Sequence, residues 1–458
     1  MSHSRAHRRL LDEPPSRVRK SDMGIDELRS TVRGTVLLPG DDGFDRAAQP
    51  WNVAVRQSVG AVVAAADADD IAAVVRYARR TGRTIVTQPT GHGATGDIDD
   101  AILLRTGALD EITVDAEHRV ARVGSGAQWG RVQAAAAAHG LSGLAGSNPV
   151  VGVTGYTLGG GFGWLARAHG WACNAVRAFD IVDADGARGR VTAESDPELF
   201  WALRGGGGDF AIVTGLEFDL FPLPQLYGGR VSWPADRTHE AFELFTALTT
   251  DAPAELSVWL QRYQLPGAAP TVALDFAYLG DPATGRALTR GLDALPGALL
   301  DTRATMTPDQ LGTITAEPTD PSPSLSRGEL LTDLGDAVVK TLVDAPVAPL
   351  LNIQLRGLGG ALAEANPDDG ARGPVTEPYA LYLLGLGLPH LVDDVHAGFA
   401  AVLDGLGSHI TGAKPYTFLA PGESASAAFD APTLTRLRAL KQARDPHGVL
   451  RANFPVLS

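Results

Sequence analysis

Between residues 87 and 210 the chain concentrates glycine in three runs, "TQPTGHGATGD" (87–97), "GYTLGGGFGW" (155–164) and "RGGGGDF" (204–210). Glycine lacks a Cβ, so the backbone of such runs can turn sharply and approach a ligand closely, and successive N–H groups form a concavity suited to an anion. A pyrophosphate is a natural occupant. The common nucleotide signatures do not apply. No run is followed by Lys-Ser/Thr as in a P-loop, and none opens a clean strand–helix–strand unit with an acidic residue after the next strand. Taken singly, each run also reads as tight turns.

The text around these runs is periodic. "DADDIAAVVRYARRTG" starts on a capping carboxylate at Asp67, repeats Ile71, Val74, Val75 and Ala78 at helical spacing and closes on Gly82, which predicts a helix with one buried face. "TIVTQ" then reads as a strand running into the loop of His92, and "AILLRT" and "ITVDAEHRVARVGSG" as further strands, the latter turning at Ala116–His118. An alanine-rich helix is expected over Ala127–His139. Beyond it come a hairpin at Asp185–Gly186, a helix capped by Ser195/Asp196 with Pro197 in its first turn, and the strand "FAIVTGLEFDLF". At "PLPQL" (222–226) the pattern breaks. The β-like runs "ELSVWLQRY", "TVALDFAYLG", "LNIQLRGLGG" and "YALYLLGLGL" follow, with helices near 236–250, 283–293 and 391–405, which together predict an antiparallel sheet covered on one side. A last helix near 432–443 leads into "RDPHGVLRANFPV".

With 458 residues, two domains are the prior. A net charge of −14 argues against a nucleic-acid partner, which needs clustered Lys and Arg. No apolar run approaches the ~20 residues of a membrane helix. The basic, polar first twenty residues lack the apolar core of a secretory leader, so the expected location is the cytoplasm. The lone Cys173 excludes an internal disulfide or a cysteine metal cluster and reads as a small buried apolar residue, and no metal site is expected.

His92 within "GHG", then "GSNPVVGVTGYTLGGGFGWLARAHGWACNAV", "ELFWALRGGGGDFAIVT" and "DPHGVLRANF" occur in this order. Together they resemble the FAD-linked oxidases of the vanillyl-alcohol oxidase superfamily, with their PCMH-type FAD-binding domain, and above all the berberine-bridge-enzyme-like branch. The resemblance runs from about residue 40, is strongest over 85–220 and 440–455, and is weak across 225–420. It implies an α+β fold with a disordered tail over 1–30 and a two-part FAD-binding domain over 31–222. A substrate-binding domain follows over 223–419, and a segment over 420–458 returns to the FAD-binding domain.

On this resemblance His92 takes the place of the histidine bonded to the flavin 8α-methyl, and Gly91 and Gly93 let its loop wrap the cofactor, although "QPTGHG" departs from the usual "RGGGHS". Many relatives carry a second, cysteinyl link. Here "SNPVVG" has Asn148 at that position, and Cys173 stands too far along, so one covalent bond is implied. Gly152, Gly155, Gly159, Gly160 and Gly161 are implied cofactor contacts, the last three against the pyrophosphate or flavin edge. Val213 is implied near the adenine half, Asn453 near the isoalloxazine, and Val151 beside flavin C4a, where a short side chain leaves room for O2.

For the base that assists proton loss, the family uses a tyrosine or glutamate projecting from the substrate-domain sheet. Tyr416 of "KPYTFLA" is the first candidate, with Tyr382 and Glu377 behind it, while Gln354 is expected to line the pocket. The implied function is oxidation of an alcohol, amine or bulky secondary metabolite, with FAD as cofactor, O2 as acceptor and H2O2 as product, in bacterial natural-product biosynthesis. Carbohydrate oxidation and a non-redox flavin-dependent cyclase stay open as alternatives. So does a flavin-free hydrolase or binding protein, against which stands the absence of a G-x-S-x-G elbow or an H-E-x-x-H motif.

Overall fold

The computed structural model describes residues 22–96 and 98–457. Up to residue 21 the expected tail lies outside the described residues. Beyond that it is corrected, because Asp22–Thr31 is a helix whose Leu28 is fully buried with Ile71, Val74 and Val75. Those partners belong to the helix Ala68–Thr81, which forms as its sequence predicts: the Asp67 carboxylate accepts the N–H groups of Asp69 (2.9 Å) and Asp70 (3.1 Å), and Gly82 ends it at φ 68°.

The fold is α+β, built on two smaller sheets and one large one. In the first, the strands lie in the order Thr35–Leu37, Ala61–Ala64, Ile102–Arg105, Ile85–Thr87, Leu450–Arg451, parallel except for the first pair. Antiparallel strands make the second, in the order Ile112–Asp115, Val120–Gly124, Ile212–Asp219, Val176–Val182, Arg188–Val191. Its last hairpin turns where expected, with Gly186 at φ 80°. The expected alanine-rich helix is Trp129–Ala137.

The large sheet is antiparallel and has eight strands. The long ones are Leu226–Pro234, Thr271–Tyr278, Leu256–Tyr263, Asn352–Gly357, Tyr379–Leu386 and Ser324–Leu331 in spatial order. Alternation gives it two unlike faces. The back buries Leu260, Leu274, Leu355 and Leu381 against Phe242 and Phe245 of the helix Thr238–Thr249, Leu342 of Asp336–Asp344 and Phe399 of Val392–Leu406. The helix expected over 283–293 is shorter, Pro282–Leu288 followed by a 3-10 turn. The strand Ser324–Leu331 was not expected because Arg327 and Glu329 break its apolar pattern. Glu329 is nevertheless buried, neutralised by Arg327 and Lys414, each at 2.7 Å.

The C-terminal segment closes the first sheet through a buried charge system. One oxygen of the Asp209 carboxylate accepts the N–H of Ala452 and the other that of Val456, each at 2.7 Å. Lys441, also buried, donates to the carbonyls of Asp209 (2.7 Å) and Leu450 (2.6 Å) and to Asp445 (2.8 Å). Asp445 in turn accepts the N–H groups of Val449 and Leu450. Removing a buried acceptor leaves its donors unpaired at ~1–3 kcal/mol each. Asp209→Ala is therefore expected to cost about 2–4 kcal/mol in thermal unfolding and to speed carboxypeptidase trimming of the C terminus. An unchanged melting temperature would show that other contacts hold this segment.

Candidate functional site

The loop after Ile85–Thr87 is shaped by two close approaches. Gly91 has φ 82°, and a Cβ there would stand 2.7 Å from Pro50 Cβ, so only glycine lets the loop pass. His92 then stacks on Trp51, with ring centroids 4.2 Å apart at 16°. Its Nδ1 lies 2.8 Å from Thr90 Oγ1, which leaves Nε2 as the nitrogen available for chemistry. Nε2 is buried without a partner, although the residue as a whole is only partly enclosed. Burial pulls the imidazole pKa down to about 4, so the ring is neutral at pH 7, and in the tautomer whose Nδ1–H donates to Thr90 Oγ1 the lone pair is on Nε2.

Three other segments meet this loop. Gln88 Nε2 donates to Gln57 Oε1 (2.7 Å) and to Asn453 Oδ1 (3.4 Å), and Asn453 Nδ2 lies 3.6 Å from where a Gly93 Cβ would be. The turn at Gly152 packs on Pro89 and Thr90. Next to it the carbonyl of Val151 accepts the Trp129 N–H at 3.0 Å. Gly155 is exposed, and a Cβ there would meet nothing within 4 Å. His92, Gly93, Gly152 and Asn453 are thus drawn together by the structure, with Val151 next to Gly152, while Gly155 stands apart on the surface.

Further buried polar atoms in the same half of the molecule have no partner: Thr95 Oγ1, Thr106 Oγ1, Ser125 Oγ, Tyr156 OH and Thr157 Oγ1. Thr106 follows the strand Ile102–Arg105, Ser125 follows Val120–Gly124, and Tyr156 and Thr157 sit in the short helix Val153–Leu158. Native interiors leave few polar groups unpaired, so a set of this kind is the mark of a large polar ligand. These residues fit FAD, whose dinucleotide half has donors and acceptors for such groups.

The remaining expected cofactor contacts stand close to protein neighbours. Gly159, Gly160 and Gly161 are each approached closely by a side chain. A Cβ would lie 2.9 Å from Thr417 at Gly159, 3.2 Å from Arg372 and Trp171 at Gly160, and 2.4 Å from Tyr156 at Gly161. Val213 is a core residue of the strand Ile212–Asp219, packed with Val123 and Ala211. Asn148 donates to the Pro318 carbonyl at 2.9 Å and accepts the Val150 N–H, so it ties the turn before Gly152 to residues 315–319. Cys173 is fully buried, and burial pushes its thiol up to about 12, as a packing residue requires.

The front of the large sheet is polar although buried. Arg230 grips Asp275 with two bonds, 2.6 and 2.8 Å. Gln261 Oε1 accepts from Tyr263 OH (2.5 Å), Asn352 Nδ2 (2.7 Å) and Gln354 Nε2 (3.0 Å). Arg356 Nε donates to Gln354 Oε1 at 2.5 Å. The Arg356 guanidinium lies 3.8 Å from the centre of Trp259, with Phe162, Phe418 and Tyr382 also within 6 Å. Trp259 is stacked at 3.8 Å on Trp164, a residue of the second glycine run, so the floor abuts the half that carries His92.

Of the expected bases, Tyr382 alone stands on this floor, opposite Gln354 and Gly328. Burial raises its pKa, with Ser326 and Arg356 pulling the other way. Tyr416 is corrected: it lies in a 3-10 turn off the sheet, donates to the Phe454 carbonyl at 3.1 Å and packs on Phe429 and Phe454. It anchors the C-terminal segment, and burial, helped by Asp209, raises its pKa. Glu377 sits in the loop before Tyr379–Leu386, where its field acts on Arg372 and not on the floor. Arg356, Trp259, Gln261 and Asp275 were missed from the sequence. Their signal was the second half of the alternation in "ELSVWLQRY", "TVALDFAYLG" and "LNIQLRGLGG", which reads equally as a solvent-facing side.

Comparison with known proteins agrees with this geometry. A family model described as an FAD binding domain matches residues 59–192. The chain is 32% identical to the (R)-6-hydroxynicotine oxidase of Paenarthrobacter nicotinovorans over 257 residues, 55% of this chain and 56% of that one. To the glucooligosaccharide oxidase of Sarocladium strictum it is 32% identical over 190 residues, 40% of this chain and 38% of that one. The chain spans about half the length of the curated relatives it matches. The crystal structure of 6-hydroxy-D-nicotine oxidase from Arthrobacter nicotinovorans superposes with a TM-score of 0.82 at 24% identity, covering 93% of this chain and 98% of that one. Physcomitrella patens BBE-like 1 gives 0.84 at 19% identity, covering 94% and 98%. The chain thus carries an FAD binding domain over residues 59–192 and shares the fold of these two structures over nearly its whole length, in agreement with the resemblance to the berberine-bridge-like branch of the vanillyl-alcohol oxidase superfamily.

Proposed function

We propose that the chain is an FAD-dependent oxidase, with its flavin joined covalently to His92 alone and an alcohol or amine C–H donor seated on the floor of the large sheet. The observation that carries this reading is the buried, neutral, unpartnered Nε2 of His92, held where the Gly152 turn and Asn453 converge. Residues 22–222 with 420–458 form the FAD-binding unit on this reading, and 223–419 carry the substrate. The return of Leu450–Arg451 to the strand Ile85–Thr87 supports that division.

Bound FAD supplies hydride acceptance from a substrate C–H and reoxidation by O2. The protein's own work is placement and proton management. Thr90 holds the His92 ring by Nδ1, so that Nε2 is the nitrogen directed to attachment. Tyr382 is the proposed base: its hydroxyl lies on the floor beside Arg356, whose positive field favours the phenolate as the substrate proton leaves. Val151 is the proposed O2 gate, its short side chain leaving space beside Gly152. The relatives named as oxidases of 6-hydroxynicotine and of glucooligosaccharide support oxidase chemistry, in keeping with a role on a secondary metabolite. An oligosaccharide substrate is less well supported, because Gln261 and Gln354 spend their hydrogen bonds on neighbours, which leaves Asn352 Oδ1 as the one unpartnered amide oxygen of this group.

Acid precipitation of the purified protein is expected to leave the yellow colour in the pellet, and His92→Ala to release it to the supernatant while still binding added FAD. A wild-type pellet without colour would remove the covalent bond but not the cofactor. Dithionite-reduced enzyme is expected to reoxidise in air within seconds, with one H2O2 formed per flavin, and Val151→Leu to slow this. Slow wild-type reoxidation would make the protein a dehydrogenase. Tyr382→Phe is expected to slow anaerobic bleaching by substrate ~10²-fold or more, with Tyr416→Phe affecting melting temperature instead. Equal bleaching rates in wild type and Tyr382→Phe would remove Tyr382 as base.

A further inference from the structure

Arg356 differs from the other buried arginines on the large sheet. Arg230 is neutralised by Asp275 at 2.6 Å, and Arg262 spends Nη1 on the carbonyls of Leu342 and Ala345. Arg356 is 8% exposed, donates only through Nε, and among the described residues no carboxylate lies within ion-pair distance of it and nothing accepts from Nη1 or Nη2. Burial draws its pKa down to about 10, with the field of the Glu317 carboxylate pulling the other way, which still leaves a full positive charge at pH 7. A buried cation that has a distant carboxylate but no hydrogen-bonded one is costly, and something outside the chain can complete it.

The surroundings say what that something is. The guanidinium stands over Trp259, which holds its plane, and Gln354 occupies the Nε side, so the free edge is the Nη1/Nη2 pair. Two coplanar N–H donors match the two oxygens of a carboxylate, the pairing in which arginine binds most strongly and with defined orientation. The walls of this corner, Phe162, Phe418, Tyr382 and Trp259, are flat and apolar.

Resting on the reading of this face as the substrate floor, we propose that Arg356 is a specificity-determining residue that binds the carboxylate of an aromatic-acid substrate, whose ring lies against the partly exposed Tyr382 at the edge of the packed Phe162, Phe418 and Tyr382 cluster. A neutral isostere of the same shape would lose the two charge-assisted bonds and leave the cation unpaired.

The test uses the protein as purified and two probe pairs, benzoate against benzamide and phenylacetate against phenylacetamide. Binding is followed by quenching of tryptophan fluorescence, since Trp259 lies under the guanidinium, and in parallel by perturbation of the flavin absorption bands. The acids are expected to bind at least tenfold more tightly than their amides. Arg356→Met, which keeps an apolar chain over Trp259, is expected to abolish that preference, and Arg356→Lys to restore only part of it, because an ammonium lacks the fork. Equal binding of acids and amides by the wild type, or an acid preference that survives in Arg356→Met, would overturn the proposal. So would an Arg356→Met protein that keeps the preference but loses or spectrally shifts its flavin, since the arginine would then serve the cofactor. A colourless protein that still discriminates acid from amide by fluorescence would overturn the flavin reading and leave this one standing.

Discussion

The architecture depends on a buried charge system that fastens the end of the chain to its beginning. Lys441, Asp445 and Asp209 bind backbone groups of residues 449–456 and little else, so what they specify is the path of that segment. With it fixed, Leu450–Arg451 can pair beside Ile85–Thr87, and Asn453 comes to rest against Gln88 and Gly93. Charges this deeply buried gain little over a well-packed apolar core. Their contribution here is direction, since they leave the segment one way to lie, and the His92 loop is shaped against it.

The large sheet carries the complementary half of the design. Its back is an ordinary apolar face under three helices, and its front is a buried polar tract in which nearly every group is satisfied by a neighbour on the next strand. Mutual satisfaction makes the tract rigid and holds Tyr382 and Arg356 at its inner end. Polar groups left over are therefore informative. On the floor the leftovers are the Nη pair of Arg356 and Asn352 Oδ1, and around the glycine runs they include His92 Nε2 and the hydroxyls of Thr95, Thr106, Ser125, Tyr156 and Thr157. The two sets differ in chemistry, one centred on a cation and flanked by aromatics, the other neutral and spread over several loops, as a substrate corner and a dinucleotide groove would be.

Several elements were legible because their determinants are local. Asp67 and Gly82 bracket a helix by capping its own ends, and Gly186 turns a hairpin by its own φ. The FAD binding domain was legible from four motifs in order. Tyr416 misled because a tyrosine in "KPYTFLA" reads the same whether it points at a sheet or into a core. Its partners Phe429 and Phe454 lie 13 and 38 residues away. The triple glycine at 159–161 is ambiguous for a related reason: missing Cβ atoms mark close approach, but not to what, and here the protein neighbours are Thr417, Arg372, Trp171 and Tyr156.

By itself the sequence determined the class of fold, the separation of a glycine-loop half from a β-rich half and the FAD cofactor. These follow from caps, periodicity and motifs that act within a dozen or so residues or survive as ordered text. Only the tertiary structure decided which face of the large sheet is covered by helices and which forms the polar floor. It also decided that Asp209 is a latch and not the end of a glycine turn, that Tyr382 and not Tyr416 stands on the floor, and that Arg356 is left with an unfilled fork. The physical reason is that alternation with period two marks two faces without saying what will lie against either. A charge's partner is set by what the fold brings within 3 Å of it, which no stretch of neighbouring residues records.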